Sequence, residues 1–240
     1  MNQQEVYLQI NNFFKDLSFK EETHTYTVHG IPLKCSVSKL ISDYGNKFNT
    51  QVMSEAVARR DNTPKEAIIA KWDKEREDSI VKGNSLHYFA EEYLKDRTLK
   101  PITKQQELMV SFLTSLPPHI VILGSEIKMY HKRFLFGGTA DLPLYNTLTN
   151  KIIIADYKSN KDVHKNYKGQ TLLMPFNHLL DTPLNKYQLQ LSFYQILLQQ
   201  ITGIEVESRK VIWFKDSSYE IYDCQDYTTE LLKELERNEK

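Results

Sequence analysis

The sequence is poor in the features that mark secreted, membrane-spanning or cysteine-ligated proteins. Among its 240 residues only Cys35 and Cys224 are cysteines, too few and too far apart for a CxxC metal or cluster motif. No apolar stretch approaches the ~20 residues that a membrane-spanning helix needs, and the first residues lack the basic start and uninterrupted apolar core of a signal peptide. We therefore expect an intracellular protein that is not secreted and has no membrane partner.

Net charge is also absent, because 31 basic residues balance 31 acidic ones. Proteins that coat nucleic acid nonspecifically carry a large positive charge, so this balance argues against that class. Between residues 126 and 170, however, basic side chains outnumber acidic ones by eight to four, which is the local charge of a phosphate-binding surface. The acids are Glu126, Asp141, Asp156 and Asp162, and the bases are Lys128, Lys132, Arg133, Lys151, Lys158, Lys161, Lys165 and Lys168.

The pattern of apolar residues, caps and turns predicts a single α/β domain over residues 1–240. It consists of an N-terminal helical and hairpin part over 1–80, a core over 81–224 and a terminal helix over 225–240. A helix capped by Thr63 runs toward a break or a close contact at Gly83. Other helices are predicted at 5–18, 51–60, 84–95, 103–116 and 182–203. Strands are predicted at 120–130, 132–145, 151–158, 205–214 and 218–224, with a hairpin at 24–35.

The stretch from Ser159 to Asp181 has no clear period and mixes basic with aromatic residues. A connection of this length in a compact domain is usually functional or mobile. Its composition suits a nucleic-acid strand passing over it, and a partly disordered surface loop is the alternative.

The predicted strand at 151–158 ends in the pattern Asp-x-Lys, at Asp156 and Lys158. Side chains alternate across a strand, so these two point to the same face. If Asp141 lies beside Asp156, two carboxylates and one ammonium group converge on a small volume, where the carboxylates repel each other unless a cation separates them. Hard oxygen ligands of this kind suit Mg²⁺ or Mn²⁺. The plainer interpretation is a solvated pair of charges at a strand end.

Other polar residues recur at suggestive spacings. His87 and Glu91 are four apart on a predicted helix and therefore share one of its faces. Gln190 and Tyr194 have the same spacing on the helix at 182–203, and Glu126 lies within a predicted strand. Each also has an ordinary interpretation, as a hydrogen-bonded helix histidine or as packing residues.

Together these residues form an ordered series: Gly83-x-x-x-His87-x-x-x-Glu91, Glu126, Gly138-Thr-Ala-Asp141, Asp156-Tyr-Lys158 and Gln190-x-x-x-Tyr194. The series resembles the PD-(D/E)xK nuclease superfamily, specifically its RecB-like branch, which includes viral and phage recombination exonucleases and mitochondrial genome-maintenance exonucleases. The likeness covers residues 26–214. It implies a restriction-endonuclease-like core, in which a central mixed β-sheet is flanked by helices.

The resemblance also implies roles for individual residues. Mg²⁺, for which Mn²⁺ can substitute, would be held by Asp141, Asp156, the backbone carbonyl of Tyr157 and His87. Lys158 would orient or activate the attacking water, so the catalytic set is Asp141, Asp156 and Lys158. Glu91 and Glu126 match acidic positions at or next to the metal. DNA contacts would come from Gln190, Tyr194, Lys161, Lys165 and Lys168. Some relatives carry four cysteines for an iron–sulfur cluster, and with two cysteines we expect none here.

The activity implied is that of a metal-dependent DNA exonuclease, acting at DNA ends or on single strands in replication, recombination or repair. Its partners would be DNA and proteins of those processes, in the cytoplasm or the DNA-containing compartment of a host cell. Two alternatives stay open: a structure-specific endonuclease on branched DNA, and a catalytically silent nucleic-acid-binding protein.

Overall fold

The computed structural model describes residues 2–20, 22–23 and 25–239. It confirms the predicted α/β class, with mixed sheets flanked by helices and a helix near the N-terminus. The helices are α1 (Gln3–Phe14), α2 (Val37–Tyr44), α3 (Thr50–Asp61), α4 (Lys65–Lys95), α5 (Lys104–Thr114), α6 (Pro183–Thr202) and α7 (Thr228–Arg237). The strands are β1 (Leu17–Lys20), β2 (Thr25–Val28), β3 (Ile31–Pro32), β4 (Cys35–Ser36), β5 (Ile120–Ile122), β6 (Ile127–Tyr130), β7 (Phe136–Ala140), β8 (Leu142–Asn146), β9 (Lys151–Lys158), β10 (Val206–Phe214) and β11 (Tyr219–Asp223).

The core is a sheet with the strand order β11-β10-β9-β8-β5. Its middle strand, β9, runs parallel to β10 and antiparallel to β8. Side chains alternate across β9 as predicted, because Ile154 packs in one apolar cluster with Leu189 of α6, whereas Tyr157 packs in another with Phe112 of α5. Helices therefore cover both faces of the sheet, and Asp156 points to the α6 side.

The predicted strands at 120–130 and 132–145 are each broken in two. β5 pairs with β8 in the central sheet, whereas β6 pairs with β7 in a small sheet that also contains β4. Between these paired regions the first chain segment has one residue more than the second, which makes a bulge. Glu126 lies in one break with φ 52°, Asp141 lies in the other, and the N–H of Glu126 donates to the carbonyl of Asp141 at 3.0 Å. The prediction of continuous strands was wrong because a bulge hardly disturbs the apolar alternation along the sequence.

The helix α4 is uninterrupted over 31 residues, so the predicted break at Gly83 was wrong. A Cβ atom at Gly83 would lie 3.7 Å from the hydroxyl of Ser159, an ordinary contact, so no tight packing requires glycine there either. The predicted cap is also different, because Pro64 occupies the N-cap position and the Thr63 hydroxyl donates to the carbonyl of Asp61. Residues 74–82 of α4 are exposed all round, whereas Leu86, Phe89, Ala90 and Tyr93 of its later turns are buried.

The remaining elements follow the prediction with local changes. The first helix ends at Phe14 and is followed by β1, which pairs with β2. The predicted hairpin forms between β2 and β3 around Gly30, and residue 24 lies outside the described residues. The predicted terminal helix forms as α7 and buries Leu231, and residue 240 lies outside the described residues. From 159 to 181 the described chain has irregular structure with one isolated bridge between Thr171 and Leu180.

No helix in the described ranges is both long enough and apolar enough to cross a membrane.

Candidate metal centre

Asp141 sits at the bend where the chain leaves the small sheet and enters the central one. Its side chain is buried, and its Oδ2 accepts a hydrogen bond of 2.8 Å from the backbone N–H of Tyr157 on the neighbouring strand. This bond joins the bend to the end of β9. Asp141 and the Asp-x-Lys pair are thereby brought together, as the sequence predicts.

Asp156 and Lys158 form an ion pair at the end of β9. Asp156 is fully buried, and within the described structure its Oδ1 has no hydrogen-bond partner. The Lys158 ammonium lies 4.7 Å from the centre of the Tyr187 ring, in a cation–π arrangement. A buried carboxylate oxygen without a partner is costly, so Asp156 presents an acceptor that a cation would satisfy.

His87 lies between two carboxylates that come from the breaks in the strands. Its Nδ1 is 3.0 Å from Oε1 of Glu126 and 3.5 Å from Oδ2 of Asp141. These three side chains each offer a ligand atom, and the atoms lie within 4.8 Å of one another, which is close enough to hold a metal ion. The structure thus brings Glu126 next to His87 and Asp141, in a position that the strand pattern did not predict.

The pKa values of the aspartates and of His87 in this cluster differ from their ordinary values. Burial raises the pKa of Asp156, the Asp141 carboxylate raises it further, and it reaches about 7. Burial likewise raises the pKa of Asp141, against the opposing effects of His87 and Lys158. Burial favours neutral His87, but Asp141 and Glu126 outweigh it and raise the pKa of His87 to about 9. The two carboxylates therefore favour the protonated, positively charged form of His87.

The residues present fit a divalent cation. The centre combines carboxylates from Asp141, Asp156 and Glu126 with the imidazole of His87, and hard cations prefer oxygen ligands of this kind. Burial raises the pKa of both aspartates, and Oδ1 of Asp156 has no hydrogen-bond partner among the described residues, so a bound cation would favour their ionised forms. The carbonyl of Tyr157 stays a predicted ligand.

Two glycines let aromatic side chains pack directly beneath the centre. A Cβ atom at Gly138 would lie 2.8 Å from Cε1 of Tyr194, and one at Gly137 would lie 2.8 Å from Cγ of Tyr26. The Tyr26 hydroxyl is 2.8 Å from that of Thr139, two residues before Asp141. The small residues thus admit protein side chains, which hold the strand before Asp141 in position.

Gln190 and Tyr194 lie on α6, and the Gln190 amide donates to the Tyr194 hydroxyl at 2.6 Å. Tyr194 is buried, so only the partly buried Gln190 has a side chain within reach of a ligand from outside. Sequence reasoning missed Tyr187, which lies under Lys158. Its spacing of three residues before Gln190 on the same helix face was a signal that could have found it.

Other predicted site residues are not brought to the cluster by any contact in the described residues. Glu91 is ion-paired with Lys95, one turn further along α4. Lys161, Lys165 and Lys168 are exposed on the irregular segment that follows Lys158. Lys168 lies over the ring of Tyr167, 5.3 Å from its centre. The sequence could not place these side chains, because the path of an irregular segment depends on tertiary contacts.

Comparison with known proteins yields little. No family model matches the chain, and no curated protein matches it. Of known structures, 14 chains are similar to it. One of them, titled "Crystal structure of SSO0001", is 12% identical over 67% of this chain and 87% of that chain, with a TM-score of 0.26. At that similarity nothing about fold or function is carried over to this chain.

Proposed function

We propose that the protein is a Mg²⁺-dependent DNA exonuclease of the PD-(D/E)xK superfamily, in its RecB-like branch, with the restriction-endonuclease-like core that this implies. The observation that carries the proposal is that His87, Glu126 and Asp141 offer ligand atoms within 4.8 Å of one another, next to the buried ion pair of Asp156 and Lys158. They come from α4, two strand breaks and the end of β9, so the arrangement is a property of the tertiary fold and not of one local motif.

The donor set supports a cation held by Asp141, with His87 and Glu126 within 4.8 Å of it, and Asp156 as a further carboxylate that interacts electrostatically with Asp141. A bound Mg²⁺ would supply Lewis-acid polarisation of a phosphate and a lowered pKa for water. The chain's own residues orient this centre: the Tyr157 N–H fixes the Asp141 carboxylate, and Glu126 fixes the ring of His87. Burial of the two aspartates excludes water from one side, which strengthens their electrostatic effect.

Lys158 acts in this proposal as a fixed positive charge. Burial opposes its charged form, but the carboxylates of Asp156 and Asp141 outweigh burial and raise its pKa above the usual value. An ammonium group held on the face of Tyr187 can donate to a phosphate oxygen where negative charge develops. The raised pKa supports charge stabilisation by Lys158 more than proton abstraction by it.

The exposed lysines at 161, 165 and 168 follow directly after the centre, and we assign them to the backbone of the DNA strand. Gln190, partly exposed next to Tyr194, is assigned to the same strand. A substrate of this kind places the protein inside the cell, with replication, recombination or repair proteins as its partners.

The test is cleavage of end-labelled linear DNA and of circular DNA, each single- and double-stranded, with Mg²⁺. We expect linear DNA to be degraded and circles to survive. Lys158→Ala should reduce the rate about 10²–10³-fold, as the loss of one preorganised charge stabiliser does. The matched control is Lys151→Ala, at the opposite end of the same strand, where the lysine pairs with Glu205 at the surface.

Each alternative has its own outcome in that experiment. Cleavage of circles would favour the endonuclease. Binding of DNA without any cleavage, under Mg²⁺ and Mn²⁺ alike, would favour the silent binding protein and overturn the proposal.

A further inference from the structure

Lys158 is the last residue of β9, where the chain leaves the central sheet. Its ammonium group is ion-paired with Asp156 and lies 4.7 Å from the centre of the Tyr187 ring. Asp156 is fully buried, so its carboxylate has little freedom to move. Tyr187 comes from α6 and is only partly buried, so its ring needs a further contact to fix its position. The place of the ammonium group therefore depends on what holds that ring.

Asn160, two residues after Lys158, supplies this contact. Its Oδ1 accepts a hydrogen bond of 3.2 Å from the hydroxyl of Tyr187, at the end of the ring that is furthest from the helix backbone. The amide of Asn160 is itself oriented, because its Nδ2 donates to the carbonyl of Asp162 at 2.9 Å. An amide turned the other way would place its oxygen against that carbonyl, so the stable orientation is the one that presents an acceptor to Tyr187.

The backbone of Asn160 is held by the central sheet. The indole Nε1 of Trp213, on β10, donates to the carbonyl of Asn160 at 2.7 Å. Trp213 lies opposite Lys158 in the parallel register of β10 with β9, and it is 9% exposed. A residue of the sheet thus fixes the backbone of Asn160, and the side chain of Asn160 fixes the ring of Tyr187. We call the contacts that run from Trp213 through Asn160 and Tyr187 to Lys158 the lysine clamp.

Asn160 stands outside the candidate metal centre. No hydrogen bond or ion pair within the described chain joins it to His87, Glu126 or Asp141. Any influence of Asn160 on a reaction at the centre must therefore pass through the lysine clamp. The competing interpretation is that Asn160 only shapes the turn after β9, through its bond to Asp162.

We propose that Asn160 is a positioning residue for Lys158, which holds the hydroxyl of Tyr187 and so keeps the ammonium group in one place for the transition state. The inference rests on the proposed function and deepens it, because it adds a residue outside the metal centre on which charge stabilisation depends. A preorganised charge stabilises a transition state without having to be reoriented during the reaction. A side chain that sets the place of that charge therefore affects the rate without touching the metal or the substrate.

Two substitutions break the lysine clamp at the same bond, from opposite sides. Tyr187→Phe removes the donor and keeps an aromatic ring, whereas Asn160→Ala removes the acceptor and keeps the tyrosine. Neither changes the bond from Trp213, which ends on a backbone carbonyl, so both variants are expected to fold. The matched controls are Tyr7→Phe and Asn11→Ala on α1, where Tyr7 is 45% exposed and the exposed Asn11 amide donates to a backbone carbonyl.

The first test measures the lysine clamp by NMR in the metal-free full chain, isotope-labelled at the ε carbon of lysine. The ring current of Tyr187 should shift the Lys158 signal upfield of the other lysine signals, and its absence in Lys158→Arg identifies it. We expect Tyr187→Phe and Asn160→Ala to lose most of this shift and both controls to keep it. The indole N–H signal of Trp213, one of two tryptophans, should stay in place in every variant, which shows that the backbone at residue 160 has not moved.

The second test is steady-state cleavage of linear DNA with Mg²⁺. Each single variant should lower kcat about 10–100-fold, the effect of misplacing a catalytic group by about an ångström. KM should stay unchanged, because no DNA contact is removed. The double variant should be no slower than the slower single variant, since both changes break one bond. A merely structural role would instead lower the melting temperature, and the two losses of rate would multiply.

The outcomes separate this inference from the function on which it rests. If DNA is cut but the single variants match wild type, or their losses multiply in the double variant, the inference is overturned and the proposed nuclease stands. If no protein cuts DNA, the proposed function fails, and the NMR signal of Lys158 alone decides on the clamp. A shift that Asn160→Ala leaves intact overturns the clamp, and a shift that this variant removes supports it.

Discussion

The backbone N–H of Tyr157 donates to the carboxylate of Asp141 at 2.8 Å. The bond links the bend between β7 and β8 to the last residues of β9, so that Asp141 and Asp156 approach each other inside the protein. In this bond the Asp141 oxygen acts only as a hydrogen-bond acceptor, so the amide oxygen of an asparagine could take its place.

The Asp141→Asn variant is therefore expected to fold but to lose its affinity for a divalent cation. The amide oxygen can still accept from Tyr157, but the substitution removes a negative charge that a divalent cation requires. In wild type, Mg²⁺ at a hundred times its Kd should stabilise the protein by about 2.7 kcal/mol. Thermal unfolding with and without Mg²⁺ measures this difference, and an equal stabilisation of the variant would show that Asp141 is not a ligand.

Metal affinity should rise with pH. The pKa of Asp156 is raised by burial and by the Asp141 carboxylate to about 7, and that of His87, which burial alone would lower, is raised by Asp141 and Glu126 to about 9. Below these values a proton competes with the cation, so binding releases protons and weakens as the pH falls from 9 to 6. Calorimetry in buffers of different ionisation enthalpy counts the released protons. An affinity that is constant over this range would contradict a site built on these groups.

Glu126→Gln should reduce the affinity for the metal about 10–100-fold, because such a loss is typical when a histidine ligand loses its carboxylate partner. Glu126 lies 3.0 Å from Nδ1 of His87 and so fixes the orientation of its ring. Glu107→Gln, an exposed acid on α5 that pairs with Lys104, is the control and should bind metal as wild type does. Equal affinity in both variants would exclude Glu126 from the centre.

Gly138→Ala should destabilise the protein by about 1–3 kcal/mol, the usual cost of overpacking. The new Cβ atom would lie 2.8 Å from the ring of Tyr194 and 2.9 Å from Cγ2 of Val37, where neither side chain has room to move. Gly83→Ala is the matched change on α4, with its nearest atom at 3.7 Å, and should stabilise by about 0.5–1 kcal/mol. Urea unfolding of both variants measures the two changes, which should have opposite signs.

The sequence predicts those parts of the site that follow from local geometry. Alternation along β9 places Asp156 and Lys158 on one face, and helical spacing pairs Gln190 with Tyr194, as the structure has them. The place of Glu126 depends on a bulge, which is set by pairing with a distant strand and not by its neighbours in sequence. Glu91, by contrast, pairs with Lys95 four residues on, a contact that helical spacing could have predicted.

The length of α4 has a mechanical consequence. Its first turns pack against α3, and Trp72 meets the ring of Phe48 at 5.6 Å, whereas its later turns carry His87 into the metal centre. Because the helix is continuous through its exposed middle, it is a stiff lever between these two ends. A rigid tilt of α4 at its α3 end would therefore also change the distance between His87 and Asp141.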